Sequence, residues 1–296
     1  MIPLGIITDE IGDDVQEACE HVRSWGLDLV ELRLGWGKNV VQWSDEEVDR
    51  AVDAVTGAGL AVSAIASPVF KSPIDERPRE LEADFALEGV ESIDAQLELL
   101  DRACAVATKV GARYVRVFTF WDEPWTDEVD GRLVDAFTRA ARVAASHDVT
   151  LAIENEPVCL VGTGRELARI CALLDERLPA ELRAHVGALW DPGNALAGGE
   201  SDPYPGGFDA ISACRLVHVH LKDLVVGEGG KPSFVPLGEG DVDFGGQLRA
   251  LVRAGYEGSV VLEPHYHPAH LAKHEAARVC VEAARTALDA AANGAD

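Results

Sequence analysis

Four residues of the kinds that bind metal ions stand where short apolar runs end and turn signals begin. They are Glu154, Asp191, His220 and Glu263. Carboxylates about 4 Å apart repel by roughly 4 kcal/mol per pair at an effective dielectric constant near 20, so three together require protons or a cation. The residue types therefore predict one divalent metal ion. Carboxylate oxygens and imidazole together suit Mn²⁺, Co²⁺, Zn²⁺ or Fe²⁺, and Mg²⁺ is a further candidate for the bound ion.

Such a site requires a scaffold that gathers the ends of several strands, and β-type runs alternate with helix-period segments along the chain. Strict alternation predicts parallel strands joined by right-handed crossovers. The eight runs are 3–8, 28–34, 60–66, 113–120, 149–155, 186–191, 215–221 and 258–263. Eight such units close a (β/α)8 TIM barrel of the α/β class, with 1–296 as one domain. A Rossmann sheet is disfavoured because no Gly-x-Gly-x-x-Gly follows the first run.

Local signals mark where the helices between these strands begin and end. Ser44-Asp-Glu-Glu47 has the form of a capping box, and Thr163 that of an N-cap. Gly111 and Gly255 stand where two helices should end. The predicted helices are 13–25, 44–57, 92–110, 127–147, 163–178, 244–254 and 268–292.

Side-chain alternation predicts an unusually polar barrel interior. Residues two apart on a strand share a face, so Glu154 and Glu156 point inward on the fifth strand. Arg116 points inward on the fourth strand, and Glu31 and Arg33 share a face of the second. A structural alternative exists for the glutamates, because either could pair with Arg116 inside the barrel.

Polar residues near the four ligand-type residues are candidates for binding substrate. They are Lys222, Glu156, Asn194, Arg116, Arg33 and His265. Lys222 shares parity with His220, which favours a substrate contact over a surface position. Arg33 could instead pair with Glu31. His218 is interpreted as a hydrogen-bonded residue of the inner layer, although its spacing from His220 would also permit a ligand.

Composition excludes several classes of protein. The formal net charge is −25 at pH 7, which repels phosphate backbones and argues against nucleic-acid binding. No apolar run approaches the roughly 18 residues needed to span a bilayer, and the N-terminal Met-Ile-Pro-Leu-Gly lacks the features of a signal peptide. The six cysteines form no Cys-x-x-Cys pair. We predict reduced, mostly buried thiols in a cytoplasmic protein that binds no membrane.

At these residues the chain resembles the xylose-isomerase-like TIM-barrel superfamily, the sugar phosphate isomerase/epimerase family. The resemblance runs from Thr8-Asp-Glu-Ile11 to Glu263-Pro-His265. Its most specific motifs are Ile153-Glu-Asn155, Asp191-Pro-Gly-Asn194, His218-Val-His-Leu-Lys-Asp223 and Leu237-Gly-Glu-Gly240. In such epimerases, strands five to eight each supply one ligand to a single metal. The resemblance implies Glu154, Asp191, His220 and Glu263 in those positions.

The resemblance also implies a reaction. The metal would act as a Lewis acid on a sugar, keto-sugar or cyclitol substrate, which makes the adjacent C–H acidic. Glu154 and Glu263 would lie on opposite faces of the substrate, one removing the proton and the other returning it through an enediolate. Loss of water after proton removal would make the same site an inosose-dehydratase-like lyase. Carbohydrate metabolism and a homo-oligomer, either dimer or tetramer, are further expectations of the resemblance.

Two positions depart from the ketose 3-epimerase pattern. Asn194 stands where those enzymes carry a histidine, and Lys222 lies nearer the ligand than their substrate-binding arginine. The DNA-repair endonucleases of this fold need additional histidines, but the third strand ends at Ala66-Ser67 and the fourth at Thr119-Phe120. Charge and missing ligands thus both exclude the endonuclease function. A non-catalytic, sugar-binding barrel remains the alternative of another class.

Overall fold

The computed structural model describes residues 2–75, 87 and 89–294. Eight parallel strands close into a barrel in the spatial order β1-β8-β7-β6-β5-β4-β3-β2. This confirms the predicted (β/α)8 barrel. The strands are β1 Leu4–Ile7, β2 Leu29–Leu32, β3 Ala61–Ile65, β4 Tyr114–Val117, β5 Thr150–Glu154, β6 Val186–Trp190, β7 Leu216–Leu221 and β8 Val260–Leu262.

The helices begin at the polar caps that the sequence indicates. Ser44 and Thr163 each form a capping box, and Gly111 adopts a left-handed conformation with φ 77° at a helix C-terminus. The helices are α1 Val15–Ser24, α2 Asp45–Gly57, α3 Ile93–Val110, α4 Asp127–Ser146, α5 Gly164–Arg177, α6 Pro192–Ala197, α7 Phe208–Ala210, α8 Phe244–Arg253 and α9 Lys273–Ala292.

Two segments depart from a predicted boundary by at least three residues, and both lie at the mouth of the barrel. β4 ends at Val117 rather than at 120, because the next backbone N–H groups leave the barrel ladder. Phe118 N–H donates to the carbonyl of Val69, and Phe120 N–H to that of Phe70. α9 begins at Lys273 rather than near 268. The residues between β8 and α9 form a loop that brings His265 next to Glu10, which follows β1.

A short antiparallel ribbon, Asp223–Val226 with Pro232–Val235, follows β7. The buried Asp223 carboxylate fixes the segment after the ribbon, because its Oδ2 accepts hydrogen bonds from the N–H groups of Gly238 and Gly240 at 2.8 and 3.0 Å. Gly238 has φ 87°, and a Cβ on Gly240 would lie 2.2 Å from Asp223 Oδ1. The Leu-Gly-Glu-Gly motif is therefore an anchored turn.

Apolar side chains pack between the barrel and its helices, while the upper interior of the barrel is polar, as alternation predicts. Glu31, Arg116, Glu154, His218 and Lys222 are all buried there. All six cysteines are free thiols, and four of them are buried. Among the described residues, no helix is both long and apolar enough to cross a bilayer.

Candidate metal centre and active site

The barrel closure brings the four predicted ligand residues together at the mouth. Glu154, Asp191, His220 and Glu263 each offer a ligand atom, and these atoms all lie within 4.8 Å of one another. Ligand atoms that share one ion through bonds of about 2.1 Å lie up to about 4.2 Å apart, which is of the same order as this limit. Each of the four residues is at most 3% exposed. They form the candidate metal centre.

The two carboxylate oxygens of Asp191 make different contacts, one at the start of α6 and the other in the candidate metal centre. Its Oδ1 accepts a hydrogen bond of 2.9 Å from the Asn194 N–H and so caps α6. Its Oδ2 lies 3.0 Å from the ammonium nitrogen of Lys222, which also contacts Glu263. Asn155 braces this arrangement across the strand ends, since its side chain donates to the Asp191 carbonyl at 2.8 Å and accepts from the Asp191 N–H at 2.9 Å. The Asp-Pro-Gly-Asn motif is thus a helix start at the rim.

Two carboxylate oxygens in the centre fit a cation. Glu154 Oε2 and Asp191 Oδ2 are buried and accept no well-directed hydrogen bond from the described residues. Arg116 and Lys222 nevertheless lie within ion-pair distance of them, at 3.2 and 3.0 Å. Buried anionic oxygens with free lone pairs are costly unless a cation uses them. Three carboxylates with one imidazole are a donor set that divalent transition metals accept.

His220 turns its two ring nitrogens in different directions. Nδ1 lies 3.0 Å from Glu154 Oε1 and 3.7 Å from Glu263 Oε2, on the side of the candidate centre. Nε2 lies 3.1 Å from Glu31 Oε1, deeper in the barrel. His218 also contacts Glu31, with Nε2 2.7 Å from Oε2, and its Nδ1 lies 3.2 Å from the Ser259 hydroxyl. This is the hydrogen-bonded inner-layer histidine that the sequence predicts.

Lys222 lies inside the centre, and the surface position weighed for it is wrong. Its side chain is buried, and its ammonium nitrogen lies 3.0 Å from Asp191 Oδ2 and 2.5 Å from Glu263 Oε2. Glu263 N–H donates to the Leu221 carbonyl, so β7 and β8 place the two side chains next to each other. Gly193 permits this packing, because a Cβ there would lie 2.5 Å from Lys222 Cγ.

Two buried arginines, Arg116 and Arg33, also contact carboxylates at the mouth. Arg116 Nη1 lies 3.2 Å from Glu154 Oε2 and 3.8 Å from Glu263 Oε1, so it contacts both predicted catalytic glutamates. Arg33 contacts Asp9 at 2.7 Å, Glu10 at 2.6 Å and also Glu263. The alternative pairing of Arg33 with Glu31 is wrong, because Glu31 faces the two histidines of β7.

Burial and the neighbouring charges together lower the pKa values of two carboxyls of the centre and raise that of the third. Burial alone would raise the pKa of Glu154, but Arg116 and His220 outweigh burial and lower it. Burial would likewise raise the pKa of Glu263, yet Lys222 and His265 hold it well below its ordinary value. Burial raises the pKa of Asp191 in spite of Lys222. The cations therefore favour the ionised form of both glutamates.

The remaining predicted substrate residues also surround the centre. Asn194 Nδ2 lies 3.4 Å from Glu154 Oε1. His265 Nε2 lies 3.6 Å from Glu263 Oε1. Burial lowers the pKa of this histidine, but the carboxylates of Glu263 and Glu10 outweigh burial and raise the pKa to about 9. Glu156 is paired with Lys71 at 3.6 Å rather than with Arg116. All six candidates thus lie around the mouth.

Several residues at the mouth were not predicted from the sequence. Asp9 and Glu10 follow β1 and hold Arg33, and the Glu10 carboxylate also lies 3.2 Å from His267 Nε2. The rule that polar residues at strand ends gather at one rim would have found them. Lys71 lies in the loop after β3, with its ammonium 4.9 Å from the centroid of the Phe118 ring. No spacing in the sequence marks that position.

The barrel and the site agree with a match to a known family. The family model described as xylose isomerase-like TIM barrel matches residues 19–285. The chain belongs to this family. The match spans the segment from α1 to α9 and thus includes all four residues of the candidate metal centre.

Individual proteins resemble parts or all of the chain. The rhizopine catabolism protein MocC of Rhizobium meliloti is 32% identical over an alignment 146 residues long, which covers 44% of this chain and 41% of that protein's length. A solved D-allulose 3-epimerase from Methylomonas sp. is 16% identical, with a TM-score of 0.70 and coverage of 97% of this chain and 98% of its own. An IOLI protein solved with a bound zinc atom is 17% identical, with a TM-score of 0.72 and the same coverage.

Proposed function

We propose that the protein is a divalent-metal-dependent isomerase or epimerase of a sugar or keto-sugar. The observation that carries the proposal is the burial of Glu154 and Glu263 in one cluster with Asp191 and His220. Two glutamates that share a cation site can lie on opposite faces of a small substrate, where one removes a proton and the other delivers one. The bound metal would supply Lewis-acid polarisation of the substrate oxygen atoms, which acidifies the neighbouring C–H.

The two glutamates divide the proton transfer between them. One glutamate, as the carboxylate, removes the proton from substrate carbon to give an enediolate. The other, carrying a proton taken up from solvent, delivers that proton to the opposite face and is left ionised. The surrounding cations make both glutamates weak bases, because they lower both pKa values. A weak base needs a strengthened carbon acid, so the chemistry depends on the polarised substrate. Arg116, which contacts both residues, would hold them in position during the transfer.

Other polar and charged residues of the mouth would bind substrate hydroxyl groups. Their assignment follows from their position beside the glutamates, and they are Lys222, Glu156, Asn194, Arg116, Arg33 and His265. Polyhydroxylated substrates suit such a lining, because each hydroxyl can both donate and accept hydrogen bonds. The named activity of the D-allulose 3-epimerase and the zinc in the IOLI structure support a sugar substrate and a metal ion.

The test is incubation of the Mn²⁺-loaded protein with a panel of keto-sugars and cyclitol ketones in deuterated water. We expect deuterium to enter one substrate carbon, with formation of an epimer or isomer of unchanged mass apart from the label. Net loss of water would instead identify a lyase. Tight binding of a sugar without any exchange would contradict an enzymatic function and identify a sugar-binding barrel.

A further inference from the structure

Glu31 is a fully buried carboxylate that does not belong to the four-residue centre. Its side chain lies beneath that centre, between the two histidines of β7. Oε1 is 3.1 Å from His220 Nε2, and Oε2 is 2.7 Å from His218 Nε2. Both oxygens therefore accept hydrogen bonds from imidazole rings, and one of those rings is a proposed metal ligand.

The direction of the His220 ring makes this contact consequential. An imidazole binds a metal through an unprotonated nitrogen, and a hydrogen bond from the other nitrogen selects the tautomer. Nδ1 faces Glu154 and the centre, while Nε2 faces Glu31. We propose that Glu31 is the positioning residue of the metal centre, which holds the proton of His220 on Nε2 and leaves Nδ1 for the metal. This inference rests on the proposed metal-dependent function.

His218 and Ser259 extend the support for Glu31. The Ser259 hydroxyl lies 3.2 Å from His218 Nδ1, so both nitrogens of His218 have polar partners. The rings of His218 and His220 meet edge to face at 5.2 Å. His218 thereby fixes one oxygen of Glu31 and leaves the other aligned with His220. The order of contacts is Ser259, His218, Glu31 and then His220.

A second metal ion is the competing explanation for the same residues. Glu31, His218 and His220 also have ligand atoms within 4.8 Å of one another. Such an ion would take Nε2 of His220, which the first centre needs protonated. It would have three protein ligands in the barrel interior, and both oxygens of Glu31 already have imidazole partners. A single ion bound at Nδ1 of His220 is compatible with all of these contacts, because Glu31 keeps its hydrogen bonds with both histidines.

The test is calorimetric titration of metal-free protein with Mn²⁺, for the unmodified chain and for E31Q and E31L. We expect one site per chain, weakened about 10- to 100-fold by E31Q and further by E31L, as for other partners of ligating histidines. In an H220A background, E31Q should change the Mn²⁺ dissociation constant by less than about twofold, because Glu31 then has no ligand to position. D223N is the matched control and should leave Mn²⁺ affinity unchanged, because the hydrogen bonds described for this buried carboxylate come from the backbone N–H groups of Leu224, Gly238, Gly240 and Val242.

Each contrary result has a distinct meaning. Equal weakening by E31Q in both backgrounds would overturn the inference, because Glu31 would then act without His220. Two Mn²⁺ ions per unmodified chain would overturn it in favour of a Glu31 ligand. Failure of the unmodified chain to bind any divalent ion would instead remove the proposed function. If E31L does not fold by circular dichroism, E31Q and H218N decide, with H218N expected to weaken Mn²⁺ several-fold.

Discussion

The ammonium nitrogen of Lys222 lies 2.5 Å from Oε2 of Glu263, with both side chains buried at the mouth of the barrel. The same nitrogen lies 3.0 Å from Oδ2 of Asp191. One lysine therefore lies within ion-pair distance of two of the proposed metal ligands. A carboxylate cluster of this kind can fold before a metal ion arrives, because the chain brings its own cation.

Replacing Lys222 by methionine should destabilise the metal-free protein. Removal of one partner of a buried ion pair costs about 3–5 kcal/mol, because the remaining charges stay buried. We expect K222M to lower the free energy of unfolding by that amount in EDTA, and Mn²⁺ to stabilise K222M more than the unmodified chain. K38M, which removes an exposed partner of Glu47, is the control. Equal urea-unfolding curves for K222M and the unmodified chain in EDTA would disprove this account.

Glutamine at either proposed catalytic glutamate should nearly abolish turnover. E154Q and E263Q keep the size of the side chain but remove the base, which contributes about 10²- to 10⁴-fold to proton transfer. We expect both to lose at least about 100-fold in kcat for the substrate found on the panel. E47Q, in the capping box of α2, should retain kcat. Near-normal turnover of E154Q or E263Q would remove that residue from the mechanism.

The sequence was sufficient to predict the barrel and the four ligand-type residues at its rim, but not Asp9, Glu10 or Lys71 beside them. Strand ends such as Glu154 are recognisable because an apolar run stops there, and parallel strands in a closed barrel must end on one face. The start of α2 was predicted to within one residue, because Ser44 and Glu47 reciprocally cap its first turn. Both signals are local, so they do not depend on which elements later become neighbours.

The partners of the buried charges could not be predicted, as Glu31 and Arg33 illustrate. Alternation assigns both to the inner face of the barrel, but two residues span about 6.6 Å along a strand. They therefore lie in different layers. Glu31 meets His218 and His220 of β7, whereas Arg33 meets Asp9 and other carboxylates at the rim. Strand stagger in the closed barrel decides these contacts, and no sequence spacing records it.

Alanine at Gly240 should loosen the turn after β7. A Cβ there would lie 2.2 Å from Asp223 Oδ1 and 2.6 Å from the Leu224 carbonyl oxygen, so the backbone must shift. We expect G240A to lower the free energy of unfolding by about 1–3 kcal/mol, as overpacked sites do. G57A is the matched control, because a Cβ at Gly57 in α2 meets no atom within 4 Å. Urea unfolding measures both, and equal stability of G240A and G57A would contradict the close contact.

Asp14 should contribute stability that disappears at low pH. Its carboxylate caps α1, and although slight burial raises its pKa, hydrogen bonds from Glu17 N–H and Trp36 and the charge of Arg50 lower it overall. A lowered folded-state pKa gives stability that is present above the unfolded pKa of about 3.9 and lost as pH falls through the folded value. D14N cannot ionise. Urea unfolding should show D14N less stable at pH 7, with the difference shrinking below about pH 4; a pH-independent difference would contradict the ionic contribution.

Elemental analysis of H220A would show whether Glu154, Asp191, His220 and Glu263 hold one divalent ion, as we propose. After equilibration with Mn²⁺ and removal of free ion, we predict one Mn²⁺ per chain for the unmodified protein and clearly less for H220A. H267A should match the unmodified protein. The ion pair described for His267 is with Glu10 at the rim, and Glu10 is not one of the four ligand residues. Equal Mn²⁺ content in H220A and the unmodified chain would contradict the assignment.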